Sequence, residues 1–186
     1  MKRSLVLLAV TFALGAFSQD TIRVKTEFNY EAFLKWQSTK YSGKKFSEFE
    51  IEMSKKSKFS NADLVNKITF VNFWFESCPP CIAEIEGFNE MFANLKDNPN
   101  FTFVSFTFEP ESAIREFIKK YNIKYKIIQI EKAECYRLNF NNGFPTSFII
   151  DKEGIVRYFK GGGEVDKVKA TKAVLTEIYP KILELL

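Results

Sequence analysis

Cys78 and Cys81 stand three positions apart, with only Pro79 and Pro80 between them. Sulfur pairs at this spacing have three chemical uses. The first is half of a metal site, which wants four ligands, typically from two such pairs. Cys135 is the one further cysteine and the chain has no histidine, so no metal is expected. The second is a structural disulfide. Closing a loop of about four residues removes only ~2 kcal/mol of denatured-state entropy, against ~3 kcal/mol for a loop of about fifteen. The third use is thiol–disulfide exchange, and it fits the setting best.

That setting is a junction between two elements. Residues 68–75 are almost continuously apolar and β-favouring, the signature of a strand buried on both faces. After the pair, Ile82, Ile85, Phe88, Phe92 and Leu95 recur at steps of three and four, giving an amphipathic helix. Prolines suit its first turn. Cys78 is therefore expected just ahead of the helix, exposed, where unpaired N–H groups and the dipole stabilise a thiolate. Cys81, one turn further in and less exposed, would resolve the mixed disulfide that Cys78 forms with a partner. The absence of histidine removes Ser-His and Cys-His activation altogether.

The remaining elements form a frame for this junction. Residues 28–40 have helical spacing, 43–46 look like a turn, and 49–53 alternate as a strand. A bend at 54–57 precedes a short helical turn opening at Ser60, with Asp63 at its third position. Further strands are expected at 101–108, 127–130, 146–150 and 155–159, the last two joined as a hairpin by residues 151–154. Helices are expected at 110–121 and 165–186, with Pro180 kinking the latter. The order implies one α/β domain, a mixed central sheet with helices on both faces. Cys135 falls in a short helix at 133–138 and reads better as a small buried apolar residue than as a redox or intermolecular-bridging thiol.

Lys2 and Arg3, the apolar run 5–17 and small residues around Ala16 and Ser18 have the three-part pattern of a secretory leader. The run is short of the ~20 residues a membrane-spanning helix needs, so a cleaved leader with no stable membrane insertion afterwards is expected ahead of the alternative, an uncleaved anchor. Expected boundaries are 1–18 for the leader, 19–45 for an N-terminal extension and 46–186 for the domain. Without Lys2 and Arg3 the balance is 25 basic to 23 acidic residues, which gives no electrostatic case for nucleic acid.

Asn72-Phe73-Trp74 before Cys78-Pro79-Pro80-Cys81, then Gly143-Phe144-Pro145-Thr146 and Phe148-Ile149-Ile150-Asp151, together resemble the thioredoxin superfamily. More narrowly the chain resembles exported TlpA/ResA-type thiol-disulfide oxidoreductases, from about residue 46 onward. The resemblance implies a thioredoxin-like fold with a strand-helix insert, fitting 101–121, between Cys81 and Pro145. It implies a cis Pro145 against the dithiol, and Trp74, Phe144, Pro145 and Thr146 as the surface meeting a client. It implies a redox-active Cys78–Cys81 disulfide that needs no cofactor, protein disulfide or dithiol clients including apocytochrome thiols, and a membrane electron donor. The branch often carries glutamate three residues past the second cysteine. Glu84 holds that position, either as a proton acceptor and donor for Cys81 or as a solvated helix residue. The chain departs from the pattern at Ser77, where tryptophan is usual, with Glu76 before it; the added charge would disfavour a Cys78 thiolate. Two other functions remain in view, a thiol peroxidase and a non-catalytic peptide-binding module.

Overall fold

The structure is a computed structural model that describes residues 29–54 and 57–186; the expected leader lies outside them. Helix α1 (Tyr30–Tyr41) precedes a two-stranded antiparallel ribbon of β1 (Glu50–Ser54) and β2 (Ser57–Ser60). A single 3-10 turn, Asn61–Leu64, follows. Its capping box was legible in the sequence: Ser60 accepts from Ala62 N–H, and the Asp63 carboxylate accepts from Ser60 N–H at 2.8 Å.

The central sheet has five strands in the order β5-β4-β3-β6-β7. They are β3 (Ile68–Phe73), β4 (Phe101–Thr107), β5 (Lys126–Gln129), β6 (Thr146–Ile150) and β7 (Val156–Gly161). The first three run parallel, and β6 and β7 are antiparallel to their neighbours. Strand β3 lies at the middle and is buried throughout. Its side chains alternate between two cores, Ile68 and Phe70 entering one and Val71 and Phe73 the other. Helices α2 (Pro79–Leu95) and α3 (Glu111–Tyr121) and the C-terminal helical segment cover the first core. Helix α1, α4 (Lys132–Leu138) and the β1–β2 ribbon cover the second. Both faces of the sheet are thus buried by helices, as expected of the fold class. The strand-helix pair β4 and α3, followed by β5 and α4, occupies the interval between Cys81 and Pro145.

The closing helix starts later and is more broken than its sequence suggests. Asp166 caps it by accepting from Lys169 N–H, α5 runs Lys167–Ala173, a π turn spans Val174–Ile178, and α6 runs Tyr179–Leu185. Pro180 has no N–H to give to the carbonyl four residues back, and its ring crowds that carbonyl. The chain widens just before it, with Tyr179 N–H bonding to Val174 O five residues back.

Gly87 lets this segment close onto α2. A Cβ there would lie 2.8 Å from Val174 Cβ and 3.2 Å from Thr171 Cα, and Val174 is fully buried. Replacing Gly87 by alanine gains about 1 kcal/mol of helix propensity but forces the two helices apart, at about 1–3 kcal/mol. Gly87→Ala is expected to lower the midpoint of thermal unfolding by a few degrees, and calorimetry of the two proteins checks it.

Candidate active site around the Cys78–Cys81 pair

Strand β3 ends at Phe73, and the chain turns through a Cys78 N–H to Phe75 O bond of 3.2 Å before α2 begins. Cys78 is the N-cap of α2, and Pro79 and Pro80 fill the next two positions. Neither proline carries an N–H, so the first helix donor is that of Cys81, and it points at Cys78 Sγ over 3.3 Å. Ile82 N–H closes the first intrahelical bond onto Cys78 O. Cys78 and Cys81 are joined as a disulfide with their Cα atoms 5.3 Å apart.

The burial of the pair corrects one expectation. Cys78 is 2% exposed and Cys81 5%, so in the bonded state the N-terminal sulfur is not the open one. Both belong to the core cluster that also holds Trp74 and Ile85. What singles out Cys78 is its capping position and the N–H that it accepts, not its exposure.

Asn72 lies on the same side of β3 as Phe70, facing the α2 layer. In register it stands opposite Ser105 on β4 and Ser147 on β6. Its Nδ2 donates to Ser147 Oγ at 3.1 Å and its Oδ1 accepts from Ser105 Oγ at 3.3 Å. This neutral rung satisfies three buried polar side chains across three strands and cannot exchange a proton near pH 7.

Glu84 can. It sits one helical turn beyond Cys81 on α2 and is 2% exposed, so it is not a solvated helix glutamate. Burial pushes its carboxyl up to about 7, and the Lys160 ammonium, 3.8 Å away, holds that rise in check. Its Oε2 has no hydrogen-bond partner. The carboxyl also borders the Pro145 loop. A Cβ on Gly163 would lie 3.1 Å from both Glu84 Oε1 and Pro145 Cγ, so only a residue without one lets the three meet. Among the described residues the other buried carboxylate is Asp151. Burial works to raise its carboxyl, but N–H groups of Ile155 and Glu153 and the Arg157 guanidinium outweigh that and hold it below the usual carboxylate range. It closes the β6–β7 turn.

The Phe144–Pro145 bond is cis. Pro145 O accepts from Gly162 N–H at 2.8 Å, and Thr146 is fully buried with its hydroxyl donating to Gly143 O. Trp74 is buried and stacks on Phe117 at 4.3 Å, within the core rather than beside Phe144. The rings around half-buried Phe144 are Phe75 at 5.4 Å, Phe108 at 5.8 Å and Tyr136 at 5.4 Å. These three were not singled out in the sequence, because none belongs to either motif. Cys135 is fully buried in α4, and burial pushes its thiol up to about 12, leaving it a protonated apolar filler.

The peroxidase alternative has a sequence requirement that the site lacks. A peroxidatic cysteine follows a Pro-x-x-x-Thr/Ser-x-x pattern, and Val71 and Phe75 stand at the proline and hydroxyl positions before Cys78.

The AhpC/TSA family matches residues 42–159, more than half of the chain. Over 128 residues, 68% of this chain and 73% of the relative, it is 30% identical to the thiol-disulfide oxidoreductase ResA of Bacillus cereus. Two solved structures are similar. A thiol:disulfide interchange protein of the thioredoxin family from Chlorobium tepidum is 27% identical, with a TM-score of 0.56 over 72% of this chain and 94% of that one. A secreted disulfide oxidoreductase of Mycobacterium tuberculosis shares the fold at 21% identity, with a TM-score of 0.55 over 68% of this chain and 94% of that one. With its thioredoxin-like fold and a bonded cysteine pair at the start of α2, the chain belongs to the AhpC/TSA family, on its side of ResA-type thiol-disulfide oxidoreductases.

Proposed function

We propose that this chain is an exported disulfide reductase that delivers two electrons to protein disulfides through Cys78-Pro79-Pro80-Cys81. The observation that carries the reading is the bonded pair at the α2 N-terminus, with Cys78 Sγ taking the first free helix N–H. In the reduced protein that N–H and the helix dipole favour a negative sulfur at position 78. The Cys78 thiolate attacks a client disulfide, one client sulfur leaves as a thiolate, and a mixed disulfide remains. Cys81 then loses its proton to the Glu84 carboxylate and attacks Cys78 Sγ. The intramolecular bond re-forms, and the client departs as a dithiol once both of its thiolates have taken up protons from solvent.

Glu84 runs in reverse when the protein is recharged. A donor dithiol opens the Cys78–Cys81 bond, and the protonated carboxyl supplies Cys81 with its proton. A carboxyl near 7 serves both directions at neutral pH. Export, clients such as oxidised apocytochrome thiols, and a membrane electron donor follow from the likeness to ResA and from the leader pattern of residues 1–18. A reductant cannot persist in an oxidising compartment without resupply. Phe144, Pro145 and Thr146, with the rings of Phe75, Phe108 and Tyr136, make the client surface in this reading. Trp74, expected on that surface, is instead buried and stacked on Phe117.

Two experiments bear on this function. A Cys81→Ser variant expressed in its own host is expected to accumulate Cys78-linked mixed disulfides, identified by diagonal gels and mass spectrometry. Absence of adducts with the fold intact contradicts it. Glu84→Gln is expected to slow resolution by Cys81 by about 10²-fold at pH 8 and to remove the rise in rate through pH 7. The same variant carries a stability signature. The folded carboxyl titrates at about 7 against 4.5 for an ordinary glutamate, so the native state binds more protons between these values. Its stabilising share is present below about 4.5 and is lost as pH rises through about 7. Glu84→Gln is therefore expected to be more stable than the parent at pH 8, by up to roughly 3 kcal/mol, with the advantage gone below about pH 5. Denaturant unfolding at the two pH values measures it.

A further inference from the structure

Lys160 is out of place by the ordinary rules of a sheet. It lies on β7 opposite Ser147, two residues from Tyr158, which packs against the α2-side core, so both side chains enter the same layer. Its side chain is 14% exposed, and its Nζ stands 3.8 Å from Glu84 Oε1 and 3.8 Å from Glu177 Oε2. Glu177 sits in the π turn at the surface, with its side chain 55% exposed. One ammonium is thus divided between a carboxylate sealed inside and a carboxylate in water. Neither pair has closed to hydrogen-bond distance, and Glu84 Oε2 remains without a partner.

Resting on the role given above to Glu84, we propose that Lys160 and Glu177 are positioning residues of the exchange reaction, setting between them when Glu84 can take the Cys81 proton. Burial alone would keep Glu84 protonated and useless as a base at neutral pH. The Lys160 charge opposes that, and Glu177 opposes Lys160 by drawing on the same ammonium and by adding a second negative charge. The other groups facing Glu84 do not offset this pair. Tyr125 and Tyr158 are held neutral by burial, Lys181 lies over the Tyr158 ring at 5.3 Å, and Gly163 and Pro145 carry no charge. Cys81 on the same helix is the reaction partner. The segment that carries Glu177 packs on α2 at Gly87, against Thr171 and Val174, and Glu177 lies in its π turn.

The test isolates the step made by Cys81. Reduced protein mixed rapidly with dithiobis(nitrobenzoate) releases one nitrobenzoate thiolate when Cys78 attacks. It releases a second when Cys81 attacks Cys78 Sγ, the Cys81 proton passing to Glu84. The rate of the second phase is followed against pH, and the Glu84 carboxyl carbon is titrated by NMR in parallel. Lys160→Met is expected to move both midpoints up by about 1 pH unit or more, and Lys160→Arg to leave them near the parent. Glu177→Gln is expected to move them down by a smaller amount. A merely structural ion pair would not give shifts of opposite sign. The inference is overturned if Lys160→Met and Glu177→Gln leave the midpoints in place or move them the same way while Glu84→Gln abolishes the pH-dependent phase. If Glu84→Gln leaves that phase untouched, the Glu84 reading falls and takes this inference with it. Should Lys160→Met not fold, Glu177→Gln decides alone, since an exposed side chain carries no folding risk: an unmoved midpoint overturns the inference.

Discussion

Helix α2 begins on a sulfur, and much of the rest of the molecule serves that one contact. Two consecutive prolines strip the first turn of donors, so the first remaining helix N–H, that of Cys81, is directed at Cys78 Sγ. A hydrogen bond from a helix N-terminus to an anion is a charge-assisted one, about twice as strong as a neutral pair. It therefore favours the thiolate over the thiol. Strand β3 aims the turn, being fixed on both faces by two aromatic cores. The cis Pro145 loop and the glycine at 163 close the site from the side of β6 and β7.

Burial works against this contact. The sulfurs are almost fully covered in the bonded state, and low-dielectric surroundings disfavour any charge placed there. In the proposed exchange the proton released by one sulfur needs a receiver nearby that is itself inside. Asn72, with both ends of its amide engaged, is a structural rung and not that receiver. At Glu84 desolvation is the larger effect and raises the carboxyl to about 7, while the lysine it shares with Glu177 limits that rise. A buried carboxyl with an unpartnered oxygen lowers stability at neutral and higher pH, and the fold tolerates it beside the chemistry, where such costs commonly concentrate.

Most of the sheet was legible in the sequence because its strands are strongly marked. Phe70, Val71, Phe73 and Phe103 to Phe106 put apolar side chains on both faces of their strands, which only a strand covered from two sides can bury. The hairpin around Asp151, the capping box at Ser60 and the turn of Pro79-Pro80 carry explicit local signals. Strand β2 was not legible. Ser57, Lys58 and Ser60 have no β preference to show, and the strand exists only because β1 lies beside it. The covering of Cys78, the stacking of Trp74 on Phe117 and the inward direction of Lys160 were hidden for a different reason. Each depends on which distant element arrives at that spot, and a residue's neighbours along the chain do not record it. Glu84 was visible as a position in a motif, but its burial was not, since a glutamate beside an apolar stripe reads equally well as a solvated helix residue.

In the proposed exchange, position in the helix and not exposure separates the roles of the two sulfurs. Alkylation of the fully reduced protein across a range of pH, with peptide mapping of each label, tests this most directly. Label is expected at Cys78 first, with a midpoint below that of Cys81, and in Glu84→Gln the order is expected to persist. Modification of Cys81 at lower pH than Cys78, or equal labelling of both throughout, would contradict the account.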